Sequence, residues 1–188
     1  MSATETTAAP TTIPAGAYRL DSVHSSAGFA VKHMVVATFR GRFEDFDATL
    51  TVDDAGNASL SGVVQVGSIE VKDENLKAHL GSPEFFDLER YPEIRFEASE
   101  IEISPDGQLK IAGDLTIKDR TRRVESTGTI SGPAVTFGDV VKVGLTLETV
   151  IDRTQFGLDW NAPLPKGGVA VANDVKLTVE LELAREEA

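Results

Sequence analysis

The feature that most restricts how this chain can fold is a two-residue alternation near its C-terminal end. Val175, Leu177, Val179, Leu181 and Leu183 are apolar, while Asp174, Lys176, Thr178, Glu180 and Glu182 between them are polar. Successive strand side chains point to opposite faces, so this spacing predicts a long strand with one dry face. The period recurs in Phe46, Ala48, Leu50 and Val52, in Leu60, Val64 and Val66, in Leu109, Ile111, Leu115 and Ile117, and in Val141, Val143, Leu145 and Leu147. Ile94, Phe96 and Ala98 share one phase and Ile101 and Ile103 the other, which predicts a β-bulge near Ser99–Glu100. Gly113 falls on a dry face in mid-strand, a sign of a bend or a close approach.

Turn chemistry separates these runs. Asp54-Ala55-Gly56-Asn57 and Pro105-Asp106-Gly107 read as hairpin turns, and Asp119-Arg120 turns the chain before Val124. About eight or nine strands joined by short connections imply an antiparallel meander. Long strands with one dry face must close into a barrel or pack as a sandwich. One segment departs from this. In Asp73–Leu88, Asp73 is a candidate N-cap, Leu76 and Leu80 share a helical face, and Gly81 stands at the C′ position. Ser82-Pro83 suggests a second short helix carrying Phe85 and Phe86, so the excursion reads as a lid or plug. Asn161 to Gly168 is a loop. Residues 1–16, rich in Thr, Ala and Pro, are expected to be a disordered tail, leaving residues 17–185 as one folded domain.

Composition narrows the chemistry. There is no cysteine, so disulfides, thiolate nucleophiles and iron–sulfur sites are excluded. The net charge of −12 opposes nucleic acid and anionic membrane surfaces alike. Arg40/Arg42 and Arg120/Arg122/Arg123 are small basic clusters, either exposed strand charges or contacts for an anionic head group. No run approaches the roughly 20 apolar residues that span a bilayer, and the first residues lack a signal-peptide pattern. Stable membrane insertion is not expected, and the default location is the cytoplasm.

The sequence has no HExxH, GxSxG or glycine-rich phosphate loop. Its histidines are His24, His33 and His79, with His33 in phase with Phe29 and Val31. His33 is therefore either a polar anchor for a ligand head group or a core or rim histidine satisfied by a backbone carbonyl. His24 and Ser25 are neighbours and point to opposite faces, which suits neither as base and nucleophile. Asp152 and Asp159 could flank a loop as acid and base, although Arg153 beside Asp159 reads as a structural ion pair. No metal site, catalytic set or cofactor is expected. The nine phenylalanines spread over most strands. They either fill one core or line a cavity, since a barrel of about eight strands sits at the size where both occur. Small residues at Ala27, Ala30, Gly113, Ser126, Gly128 and Gly144 would leave room inside.

Several segments in order carry a family signature. They are YRLDSVHSSAGFAVKH (Tyr18–His33), RGRFEDF (Arg40–Phe46), LKAHLGSPEFFDLERYPEIRF (Leu76–Phe96), GDLTIKDRTRRV (Gly113–Val124), DRTQFGL (Asp152–Leu158) and NDVKLTVELEL (Asn173–Leu183). With these the chain resembles the YceI-like family of polyisoprenoid-binding, lipocalin-like proteins. The resemblance implies an all-β fold: an extended eight-stranded antiparallel barrel with a short helical insertion. It also implies an apolar channel that carries or stores a long-chain isoprenoid, quinone, fatty acid or amide, with no shared catalytic set. Many relatives are periplasmic, and this chain departs from them in lacking a signal peptide. The expected ligand-lining residues are Phe29, His33, Phe43, Phe85, Phe86, Phe96, Leu115, Phe156 and Trp160. Each buried methylene is worth roughly 0.8 kcal/mol, so a dozen offer about 10 kcal/mol before the loss of ligand freedom. Two other readings stay open, an enzyme acting on an apolar substrate and a solid-cored interaction module. A homodimer is the default assembly only because it is the commonest one.

Overall fold

The computed structural model describes residues 12–187. They form eleven strands: β1 (Gly16–Leu20), β2 (Ser26–His33), β3 (Ala37–Phe43), β4 (Phe46–Val52), β5 (Ala58–Gln65), β6 (Ile69–Glu70), β7 (Glu93–Ile103), β8 (Gln108–Ile117), β9 (Arg120–Val135), β10 (Val141–Asp152) and β11 (Val171–Arg185). Pairing runs β1-β4-β5-β7-β8-β9-β10-β11 and returns from β11 to β1, closing a ring of eight antiparallel strands. The other three strands are continuations. β1 and β2 both pair with β11, Leu20 opposite Leu183 and Ser26 opposite Glu180, so they are two legs of one strand bent at residues 21–25. β3 and β4 form the next bent strand, and β5 and β6 the third. The fold is thus the expected eight-stranded barrel, with three of its strands bent.

The register defines two poles. The hairpin turns after β4 and β7, the start of β1 and the end of β11 lie at one, here called the closed pole. The β2–β3 hairpin, the β8–β9 turn and the connection from β10 to β11 lie at the other, the open pole. The expected bulge is present: the β7–β8 register shifts between Ala98 and Glu100. In the closed half, inward side chains meet across the barrel. Tyr18, Leu50, Leu109, Ile111, Val143 and Leu183 are fully buried there, each worth roughly 1.5–3 kcal/mol of transfer free energy.

Of the expected tail, residues 1–11 lie outside the described residues. Ile13 is buried in the closed-pole cluster, and the Tyr18 hydroxyl donates to the Pro14 carbonyl at 2.7 Å. The small residues do not all make room. A Cβ at Gly113 would stand 2.6 Å from the Ala98 Cβ, and one at Gly128 only 1.7 Å from the Thr146 carbonyl oxygen. These glycines let neighbouring strands close up, which is the close approach expected at Gly113 and the opposite of the space expected at Gly128.

One α-helix, α1 (Glu74–Gly81), follows β6, and the Asp73 carboxylate accepts from the Leu76 amide at 2.8 Å. The cap is the expected one. The second helix is absent. The amides of Phe85 and Asp87 both donate to the Ser82 carbonyl, and that of Phe86 reaches back to the Leu80 carbonyl. The chain therefore coils into turns, with Asp87 at a positive φ of 52°.

Candidate functional site

The open half of the barrel is hollow. Its cavity measures about 440 Å³, within the range of about 300–1,000 Å³ usual for small-molecule sites. Leu60, Leu147 and Leu181 line it and also belong to the closed-pole cluster, so they form its floor. β2 and β3 form one wall with Ala27, Phe29, Val31, Phe39 and Phe43. Ile94 and Phe96 of β7, Leu115 and Ile117 of β8, and Val175, Leu177 and Val179 of β11 continue it. These large apolar side chains hold one parity on each strand, while Gly28 and Arg95 between them also border the space. The segment after β6 caps the space with Leu76, Leu80, Phe85 and Phe86.

Of the nine residues expected to line a ligand, the structure places all but Phe156 on the border of this cavity. Phe156 is 1 % exposed and packs with Ile117, Ile151 and Leu158, within the barrel's own filling near the open pole. Of the small residues, Ala27 and Ser126 face the cavity, whereas Ala30, Gly113, Gly128 and Gly144 are not on its wall.

The aromatic side chains form two linked groups. Phe29 lies 6.0 Å from Phe39 and 5.9 Å from Phe43 between ring centroids, and Phe43 lies 6.3 Å from Phe86. The ring of Phe29 covers Gly41 so closely that a Cβ there would stand 2.5 Å from it. His79 joins the cap edge-on to Phe85 at 5.0 Å and to Trp160 at 4.8 Å, and its Nε2 is 2.9 Å from a Glu84 carboxylate oxygen. Residues 39 and 79 were not among the nine. Phe39 shares the phase of Phe43, and His79 lies beside Leu80 on the face begun by Leu76, so period alone could have found both.

Arg153 is a further wall residue. It is 3 % exposed, yet among the described residues no carboxylate lies within ion-pair distance, so the expected pair with Asp159 does not form. Its guanidinium instead donates to the backbone carbonyls of Ala172 at 2.9 Å, Trp160 at 3.0 Å, Val171 at 3.3 Å and Leu158. Burial pulls its pKa below the ordinary value, against the opposing fields of Asp159 and Asp152. Asp152 caps the following turn by accepting from the Thr154 amide at 2.9 Å, and Asp159 is exposed. The two carboxylates are therefore not a facing acid–base pair.

His33 is exposed at the rim and makes no side-chain hydrogen bond among the described residues. The Ser25 hydroxyl donates to the Asp21 carbonyl at 2.7 Å and accepts from the Glu182 amide at 3.0 Å, a structural bridge. His24 Nδ1 sits 3.1 Å from Asp21, and the Lys142 ammonium lies 3.2 Å from Asp21 and 2.5 Å from Glu182. Asp21, His24 and Glu182 are the one group among the described residues with metal-ligand spacing. Lys142 already supplies their positive charge. These bonds, His24 first and Lys142 next, hold the Asp21 pKa down at about 2.

The YceI-like domain pattern matches residues 18–183. A UPF0312 protein of Staphylococcus aureus (strain N315) is 30% identical over 176 residues, which cover 90% of this chain and 98% of the relative. Among solved structures, Burkholderia cenocepacia BcnA superposes with a TM-score of 0.74 at 22% identity, covering 87% of this chain and 98% of that one. A Campylobacter jejuni YCEI protein gives 0.71 at 24% identity, covering 89% and 97%. A polyisoprenoid binding domain from Saccharophagus degradans, implicated in plant cell wall breakdown, gives 0.68 at 12% identity, covering 91% and 99%.

Proposed function

The chain belongs to the YceI-like family, and on that premise we propose that it carries or stores a long-chain isoprenoid or a similar amphiphilic lipid inside its half-hollow barrel. The observation that carries this reading is the cavity, about 440 Å³ and walled mainly by Leu, Ile, Val and Phe side chains, with Asp47, Arg95, Glu148 and Arg153 as charged residues on its border. An apolar chain gains roughly 0.8 kcal/mol for each methylene it takes from water into such a space. The solved polyisoprenoid binding domain of the same fold supports the choice of ligand class. The proposed contacts are Phe29, Phe43, Phe85, Phe86, Phe96, Leu115 and Trp160 along the chain, with His33 at the rim beside the head group.

The solid-cored alternative predicted no continuous cavity, and this barrel has one. The enzyme alternative rested on His33, which has no converging partner among the described residues.

Trp160 is the only tryptophan, and it lines the cavity. Its fluorescence therefore reports occupancy directly. Titration with geranylgeraniol is expected to give a saturable emission change, and native mass spectrometry of the purified protein an added mass that organic solvent removes. An apo mass together with no saturable response to prenyl alcohols would overturn the reading.

A further inference from the structure

The rim of the open pole bears a surface that holding a lipid does not require. Met34, Val35, Val36 and Val169 are half of the eight large apolar side chains left exposed among the described residues. Val35 is 70 % and Val36 87 % exposed. They stand on two adjoining loops, the β2–β3 hairpin tip and the turn at residues 164–168. A Cβ on Gly168 would lie 3.8 Å from Leu164 and 3.9 Å from Val35. The tip is tied to the second loop, since the Met34 amide donates to the Ala170 carbonyl at 2.7 Å. Met34 and Val35 hold φ values of 49° and 65°, a region that a β-branched residue occupies only at a cost. One step inward, His33 and Val171 pair across the strands and line the cavity. The apolar tips therefore border the cavity mouth.

Charge distribution separates these two loops from the rest of the chain, including Asp119, Asp152 and Asp159 elsewhere at the same pole. Residues 26–43 contain Lys32, His33, Arg40 and Arg42 and no carboxylate, and residues 160–173 contain Lys166 and none. Lys32, Arg40 and Lys166 form no ion pair among the described residues. The net charge of −12 thus lies elsewhere. Salt screens exposed charges beyond about 8 Å at physiological ionic strength, so a surface meets the local sign and not the total.

We propose that the open pole docks on the surface of a bilayer containing anionic lipid. Val35 and Val36 enter the interface, Lys32 and Lys166 lie beside the head groups, and the cavity mouth faces the membrane. Apolar tips flanked by cations are the two components of interfacial binding. Only the purpose of this docking rests on the lipid-holding reading. The docking itself needs no ligand in the cavity.

The test is co-sedimentation of the full chain with vesicles of phosphatidylglycerol and phosphatidylcholine, and of phosphatidylcholine alone, at low and high salt. Binding is expected on the anionic vesicles only, weakened by salt. It should fall about tenfold or more in Val35→Asp/Val36→Asp and about fivefold for each of Lys32→Gln and Lys166→Gln. Phe137→Ser, at the fully exposed tip of the closed-pole β9–β10 hairpin, should bind like the wild type. Absence of binding, equal binding to neutral vesicles, or an equal loss in Phe137→Ser overturns the proposal. So does a dimer that Val35→Asp/Val36→Asp converts to monomer, which would assign the patch to a second copy. The same double variant is expected to take up geranylgeraniol from solution like the wild type, so docking and lipid holding can fail separately.

Discussion

A single side chain can shape a cavity through the segments of backbone it ties together. Arg153 closes the loop after β10 onto the start of β11 by donating to four carbonyls, and among the described residues no carboxylate lies within ion-pair distance of its buried charge. Removing a buried charged donor leaves its acceptors unsatisfied, so Arg153→Met is expected to cost on the order of 3–5 kcal/mol in urea unfolding. Arg153→Lys should recover little, because an ammonium cannot reproduce the planar fork of donors. A loss below about 1 kcal/mol would show that the carbonyls find other partners. Asp21 makes a pH-dependent contribution of known sign. Its pKa is held at about 2 by His24 and Lys142, below the roughly 3.9 of an unfolded aspartate. A depressed carboxylate adds stability that is full above pH about 4 and lost as pH falls towards 2. Asp21→Asn should lower the melting temperature near neutrality and converge with the wild type near pH 2. Parallel curves would assign the loss to packing. In the sequence Arg153 read as half of an ion pair, because backbone carbonyls that converge only after folding leave no residue-type signal. Phe156 and Phe29 look alike in sequence, and strand phase does not extend through the turn that carries Phe156.

At the scale of elements the sequence was far more legible. Alternation located β4, β5, β7, β8, β10 and β11 but not β1, β3, β6 or the long β9, the phase slip located the bulge at Ala98/Glu100, and Asp73 announced α1. The second helix failed because Ser-Pro favours a helix start only if the chain continues, and here Phe86 and Asp87 bond back to Leu80 and Ser82. The bends between β1 and β2 and between β3 and β4 left only a phase slip in the sequence: inward parity switches from even at Tyr18 and Leu20 to odd at Ala27, Phe29 and Val31, and from odd at Phe39 and Phe43 to even at Phe46, Ala48 and Leu50, and without the register such a slip does not distinguish a bend from a new strand. The cap of the cavity is a helix of eight residues followed by turns. Helices this short depend on their caps and their packing. Asp73→Ala should cost about 1 kcal/mol locally, and that loss should appear as faster amide exchange across α1 and about fivefold faster release of a prenyl probe. The global melting temperature should barely move. Unchanged release with faster amide exchange would mean that ligand leaves past His33 and not beneath the cap.

For the whole molecule, the question alternation left open was whether the barrel is full or empty, and it is each in one half. Inward positions carry Tyr18, Leu50, Leu109 and Leu183 towards the closed pole, and Ala27 and Ser126 on the cavity wall. The family motifs pointed to a container, but side-chain volume across strands, which decides where the space lies, can be summed only once the register is known. Ser126 offers the sharpest test, because it is buried, lines the cavity and stands opposite Ile111 of the filled half. A larger apolar side chain there enters empty space instead of a packed core, so it should fill and not strain. Ser126→Phe is therefore expected to keep or raise the melting temperature while lowering geranylgeraniol affinity by about tenfold or more, read from Trp160 emission. Ala27→Leu should act in the same direction more weakly. A protein destabilised by more than about 2 kcal/mol would mean that the space at Ser126 is not available to a side chain. Affinity unchanged in a stable Ser126→Phe variant would place the bound chain elsewhere on the molecule, and the lipid-holding reading of this cavity would then fall.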